Sequence, residues 1–275
     1  MKKGRIIAIL VLLAAIGMMA YAGIKLAKVE RVYREANSAY DSLSAQIRKE
    51  MPAGTSAAGT PGTGVPSAAD GAGGTDDTAA GDPALAEDAP SVEIDFGTLE
   101  TISKDATTWL YCPGTMIDYP VMKASDYYYY LRHLPDGTEN ANGSLFIDYN
   151  NAADFSEALT VIYGHAMRSG AMFGSLSGYK GQAYYNAHPT MYLYTKNGDY
   201  RIDLLYGCVI GAGKWRDRAF MYAENVDSLV SYAAHNTTFR STASYTKGDR
   251  VVAMSTCSYE FDGARYVVLG VLRRI

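Results

Sequence analysis

The chain has 275 residues, with 25 Lys and Arg against 29 Asp and Glu and a formal net charge of −4. Part of the negative charge sits in an Ala- and Gly-rich stretch, and no Lys or Arg cluster follows it, which argues against a nucleic-acid partner. The three cysteines and four histidines show none of the close spacings of a zinc site, so no metal is expected.

At the N-terminus, Ile6 to Ile24 form an almost uncharged apolar run preceded by Lys2, Lys3 and Arg5. Its length suits a helix crossing a hydrocarbon core of roughly 30 Å. It also exceeds the apolar region of a secretory signal, about 7 to 15 residues. Residues 1–25 are therefore expected to be an uncleaved signal anchor, although Ala20, Tyr21 and Ala22 resemble a small-residue cleavage site. From residue 26 to 50, Leu26, Val29, Val32, Ala36, Leu43 and Ile47 recur at helical spacing among charges. This predicts a juxtamembrane amphipathic helix, expected to be a solvated stalk rather than a partner-binding element. Residues 51–90 are Ala, Gly, Thr, Pro, Ser and Asp with little that could fill a core, and predict a flexible linker. As a coil its reach would be on the order of 35 Å.

Residues 91–275 are of a size for one domain with its own core. "TLETISKDATTWLYC" predicts a helix, with Leu99, Ile102 and Ala106 in register. "GSLFIDY" and "ALTVIYGH" predict strands. "MYLYTKNGDYRIDLLYGCVIGAG" predicts a hairpin with Asn197 and Gly198 at left-handed turn positions. "AENVDSLVSYAAHNT" predicts a helix that puts Val226, Leu229, Val230 and Ala233 on one face, with Asn225 as cap. Finally "RVVAMSTC" and "RYVVLGVL" predict two strands joined by turn formers that include Asp262 and Gly263. The fold expected from these runs is mainly β, a barrel or sandwich with a few peripheral helices.

If the last two strands pair, Cys257 and Arg265 meet at one rim of the sheet, and a neighbouring cation favours a thiolate. Cys208 lies in an apolar run and is expected to be a buried small hydrophobe. A Cys112–Cys208 disulfide is left open. His165 ends an apolar β run beside glycines and is the candidate base. His133, His188 and His235 are expected to be structural. The competing account of Arg265 is a surface ion pair with Glu260 or Asp262, and that of Cys257 is simple burial. Together, a thiolate, an imidazole and a guanidinium suit acyl transfer or peptide-bond cleavage.

"AMSTC" followed by the "SYEFDGAR" spacing resembles the signature of the sortases, and the chain is most similar to class B sortases. The likeness continues in order through "IDYPVM", "SDYYYYLRHLPDG", "NGSLFIDYNN", "TVIYGHAMRSGAMFGSL" and "HPTMYLY", covering roughly Phe96 to Arg273. Ala253 and Met254 depart from the family's usual threonine and leucine. The resemblance implies a sortase-type eight-stranded β-barrel with an N-terminal helical extension. It assigns the nucleophile to Cys257, the general acid and base to His165, and the oxyanion role to Arg265. Ser255 and Thr256 would line the substrate groove, and Asp148 is a runner-up for orienting His165, expected rather to be buried as a structural hydrogen-bond acceptor.

The implied enzyme is a cysteine transpeptidase that needs no cofactor. It would cleave surface-protein sorting signals containing Pro and Thr after the threonine, hold the acyl group on Cys257, and pass it to the amine of a lipid-linked cell-wall precursor. It would sit at the cell membrane as a single-pass protein with an extracellular catalytic domain on a Gram-positive-type surface. The linker would then serve to hold the domain near both substrates, so that excising Met51 to Pro90 slows anchoring in cells. A plain cysteine peptidase, a pilin-polymerising sortase and a catalytically idle, anchored binding module are the alternatives.

Overall fold

The computed structural model describes residues 2–50, 92–216 and 225–275. The expected linker, residues 51–90, lies outside the described residues. Helix α1 (Lys2–Ile47) is continuous for 46 residues, about 69 Å at the α-helical rise. It contains a window of mean hydropathy 2.0, none of it buried, and is long and apolar enough to cross a membrane. Leu10, Leu12, Leu13, Ile16, Met18 and Met19 are exposed along it.

The end of α1 differs from the expected stalk. Ala36, Tyr40, Leu43 and Ile47, spaced four, three and four apart, are buried in the main apolar core, as one stripe of a helix pressed on a domain. Polar contacts fix the depth of docking. Tyr40 Oη donates to Gly143 O at 2.6 Å, and Asn140 Nδ2 donates to Val32 O at 3.3 Å. Directly after the helix, β1 (Arg48–Glu50) pairs antiparallel with β2 (Val92–Ile94), with Glu50 opposite Val92. Arg48 pairs with Asp118 and lies over the Tyr111 ring at 4.3 Å. The end of α1 thus packs on the domain, and Glu50 and Val92, on either side of the undescribed residues, are paired with each other.

Helix α2 (Phe96–Ile102) stops short of the helix expected over Thr98 to Cys112. Ser103 is extended, and the β-branched and aromatic run Thr107 to Tyr111 enters β3 (Ala106–Tyr111), where such side chains pack well. The strands β4 (Asp118–Lys123), β5 (Leu145–Ile147), β6 (Leu159–Tyr163), β7 (Thr190–Thr195), β8 (Tyr200–Gly211), β9 (Val251–Cys257) and β10 (Ala264–Arg274) follow. They close with β3 into an eight-stranded barrel ordered β10-β8-β7-β3-β4-β5-β6-β9. The pairs β4–β5 and β6–β9 are parallel and the rest antiparallel. In the β7–β8 turn only Gly198 has positive φ, at 126°; Asn197, expected there as well, does not.

Two short helices, α3 (Gln182–Ala187) and α4 (Ala212–Trp215), flank β7 and β8. Helix α5 (Val226–His235) buries the face expected of it, Val226, Leu229, Val230 and Ala233. Asn225 takes the cap position without a side-chain cap hydrogen bond. This helix packs on the outer face of β8, in one apolar cluster with residues of β9 and β10. Val251, Ala253, Val267 and Leu269 pack with it, while Val252, Met254, Tyr266 and Val268 belong to the barrel core. Burial on both faces explains why these two strands are continuous apolar runs rather than alternating ones.

Candidate active site at the end of strands β6 and β9

The site forms where three chain segments leave the barrel at one rim. In the β9–β10 pair, Cys257 is directly opposite Arg265, so the two side chains rise from the same face. Parallel pairing sets Tyr163 of β6 opposite Ser255, two residues before the cysteine, and His165 follows Tyr163 at the same remove. The ladder extends past the strand end, with Gly164 N donating to Ser255 O at 3.3 Å and Thr256 Oγ1 to Gly164 O at 2.8 Å. Gly164 has a steric reason: a Cβ there would lie 2.4 Å from Leu145 Cδ2 and 2.8 Å from Phe173 Cδ2. A larger residue would push the His165 segment away from β9.

Cys257 is exposed and free, unlike Cys112 and Cys208, which are free but buried. Burial holds the Cys112 thiol above its usual range and pushes Cys208 up to about 12, which keeps both protonated and inert. The disulfide left open between them is not formed; they belong to different apolar clusters. His165 Nε2 lies 2.8 Å from Leu131 O. A carbonyl only accepts, so this nitrogen carries the ring proton and Nδ1 is left as the basic nitrogen. Arg265 Nη1 donates to Ala264 O at 3.0 Å. It makes no ion pair among the described residues, because Glu260 pairs with Lys180 instead.

One cavity of about 560 Å³ is lined by His165, Ser255, Thr256, Cys257 and Arg265 together. All five residues singled out in the sequence therefore meet. Its outer wall is Tyr127, Tyr128, Tyr149 and Tyr163, with Trp215 and Arg216. Ser255 Oγ is buried without a partner among the described residues, so it has hydrogen-bonding capacity left for a guest. Asp148 does not orient His165. It is buried and accepts from Tyr127 Oη and Tyr163 Oη, each at 3.0 Å. Burial and this carboxylate hold the Tyr163 hydroxyl protonated far above its usual range.

The sequence reading missed the partner of His165, Leu131, and the anchoring of the Asp148 to Asn151 wall. Lys123 Nζ donates to the carbonyls of Asp148 at 3.2 Å and Tyr149 at 2.9 Å, and also to Asn151 O. Tyr127 to Tyr130 in "SDYYYYLRHLPDG" was a visible signal for the aromatic wall; nothing local marks Lys123. The remaining histidines are structural. His133 stacks on Tyr129 at 4.0 Å, His188 Nδ1 meets Pro113 O at 2.9 Å, and His235 Nδ1 meets Ser231 O at 2.7 Å. Among the described residues no group of three or more His, Cys, Asp or Glu could hold a metal ion.

No family model matches the chain. It is 28% identical to sortase B of Listeria monocytogenes over 185 residues, covering 66% of this chain and 75% of that protein. Among solved structures, a class B sortase of Streptococcus pyogenes involved in pilus biogenesis superposes with a TM-score of 0.59 at 26% identity, over 65% of this chain and 97% of that one. The chain is thus similar to the class B sortases in sequence and in fold. Sortase B of Staphylococcus aureus shares the same barrel, with a TM-score of 0.60 at 24% identity over 66% of this chain and 87% of that one. The similarity to sortase B proteins supports a cysteine transpeptidase, and the eight-stranded barrel is the expected one.

Proposed function

We propose that this sortase cleaves a C-terminal sorting signal containing Pro and Thr after the threonine and transfers the acyl group to the amine of a lipid-linked cell-wall precursor. The observation that carries the reading is the register: Cys257 opposite Arg265 and Tyr163 opposite Ser255 bring thiol, guanidinium and imidazole to one cavity. In this reading the Cys257 thiolate attacks the threonine carbonyl carbon, and Arg265 stabilises the oxyanion that forms. The C–N bond then breaks, with the His165 imidazolium giving its proton to the leaving amine. The thioester on Cys257 is next attacked by the acceptor amine, whose proton goes to His165 as the C–S bond breaks. Ser255 and Thr256 line the acyl-donor groove, and the tyrosine wall receives the sorting peptide.

Solved sortase B structures include complexes with a substrate and with triglycine, which supports a peptide donor and an amine acceptor for this chain. Helix α1, with its exposed apolar span, would anchor the enzyme in the membrane with the barrel on the outer surface. The test uses the full chain in detergent with a panel of Pro- and Thr-containing peptides, with and without triglycine or a diamino acid. Mass spectrometry should find cleavage after threonine and a new amide to the added amine. Hydrolysis alone across the whole amine panel would favour a peptidase, and capture only by a pilin lysine would favour pilus polymerisation.

A further inference from the structure

The segment after His165 and the loop after Cys257 are joined by a polar contact that the chemistry above does not use. Gly174 to Lys180 form a 3₁₀ segment, and Lys180 Nζ donates to Ser258 Oγ at 2.9 Å and pairs with Glu260. Ser258 Oγ in turn donates to the second Glu260 oxygen, and Lys180 Nζ also lies 5.2 Å from the Tyr266 ring centroid. Two of these polar partners sit within a few residues of the nucleophile: Ser258 follows Cys257, and Glu260 is in the short loop that separates Cys257 from Arg265. The Cys257 thiol itself makes no hydrogen bond to a described residue. Its position is therefore set by the backbone at the end of β9, where the loop begins.

Between the two joined segments lies a second cavity of about 430 Å³, lined by Met167, Arg168, Lys180, Cys257, Ser258 and Tyr266 among others. Cys257 thus stands between two cavities, and the Lys180–Ser258–Glu260 contact joins the two walls of the smaller one. We propose that Lys180 and Glu260 are positioning residues: their clasp ties the loop after Cys257 to the segment after His165, and so governs the rate of attack without touching the reacting atoms. This rests on the reading of Cys257 as nucleophile. Burial works against the Glu260 carboxylate, but Lys180 and Ser258 outweigh it and hold the group down to about 2. The Glu260 carboxylate accordingly stays ionised at neutral pH. Misplacement of a reacting group by about 1 Å can cost on the order of 100-fold in rate, whereas a half-exposed ion pair adds little to stability.

The experiment compares the full-length wild type, Lys180→Met, Glu260→Gln, the charge reversal K180E/E260K and Cys257→Ala in steady-state cleavage of one accepted peptide, with thermal unfolding of each. The expected result is a kcat about 10-fold lower in the two single variants, with KM within about two-fold and an unfolding midpoint near that of the wild type. The reversal should recover most of the lost kcat. Wild-type kcat in both single variants, a loss confined to KM, a loss that tracks a fall in unfolding midpoint, or no recovery in the reversal would overturn the clasp. Should the reversal not fold, Lys180→Arg, which keeps the charge, takes its place and must retain more kcat than Lys180→Met. Activity surviving in Cys257→Ala would instead overturn the assignment of the nucleophile.

Discussion

The β9–β10 hairpin and the docked end of α1 hold the molecule together in opposite ways. In the hairpin the proposed catalytic pair Cys257 and Arg265 is separated by one short loop, and the groups around it are polar and partly exposed. At the docked helix the partners are far apart in sequence, as with Tyr40 and Gly143, and the contact is an apolar stripe closed by a few buried polar bonds. The difference separates chemistry from stability. Substitutions in the hairpin should change rates and leave folding alone, and those under the helix should do the reverse.

The largest effect expected is that of Cys257→Ala, which should lower kcat by roughly 10³-fold or more, as loss of a nucleophile does. Because the side chain is exposed, the unfolding midpoint should stay that of the wild type; a cooperative loss of structure would break the separation. Arg265→Lys keeps a charge but loses the planar fork, and should reduce kcat on the order of 100-fold with KM little changed. Peptide cleavage kinetics would check this, and full activity would remove Arg265 from the oxyanion role.

On the other side of the comparison, Ile47→Ala removes a fully buried side chain at the helix end and should cost about 2 to 4 kcal/mol of stability. Measured by denaturant titration, that loss should come with unchanged kcat per folded molecule. The smallest effect should come from the linker. Glu50 and Val92 face each other across the β1–β2 pair, so replacing residues 51–91 by a two-residue Asn-Gly turn should leave unfolding, peptide cleavage and anchoring in cells unchanged. Slower anchoring would restore the spacer role that composition alone suggests.

These two regions also differ in how far the sequence disclosed them. The barrel strands β6, β9 and β10 and the face of α5 were legible because their apolar periods are local. The Cys257–Arg265 pairing followed from one short turn, and His165 from its place at the end of a strand. Docking of Ala36, Tyr40, Leu43 and Ile47 was not legible. Their helical spacing is the same for a stripe facing solvent, lipid or a domain, and the residues that receive them lie some hundred positions on. The end of α2 was misjudged for a related reason: Leu99, Ile102 and Ala106 fit a helical period, yet the β-branched run after Asp105 belongs to the sheet. Asp148 is the buried hydrogen-bond acceptor expected of it rather than the orienter of His165, but the tyrosines that claim its carboxylate come from separate segments.

The central claim is that Cys257 carries the acyl group at the rim where β6, β9 and β10 meet. It is tested most directly by incubating the full chain in detergent with a cleavable sorting peptide and no amine acceptor, quenching in acid, and locating any covalent mass on the peptide that contains Cys257. The account predicts an acyl adduct at Cys257 that disappears on addition of an amine and never forms in Cys257→Ala. Peptide turnover with no adduct at Cys257, or an adduct on another residue, would contradict it.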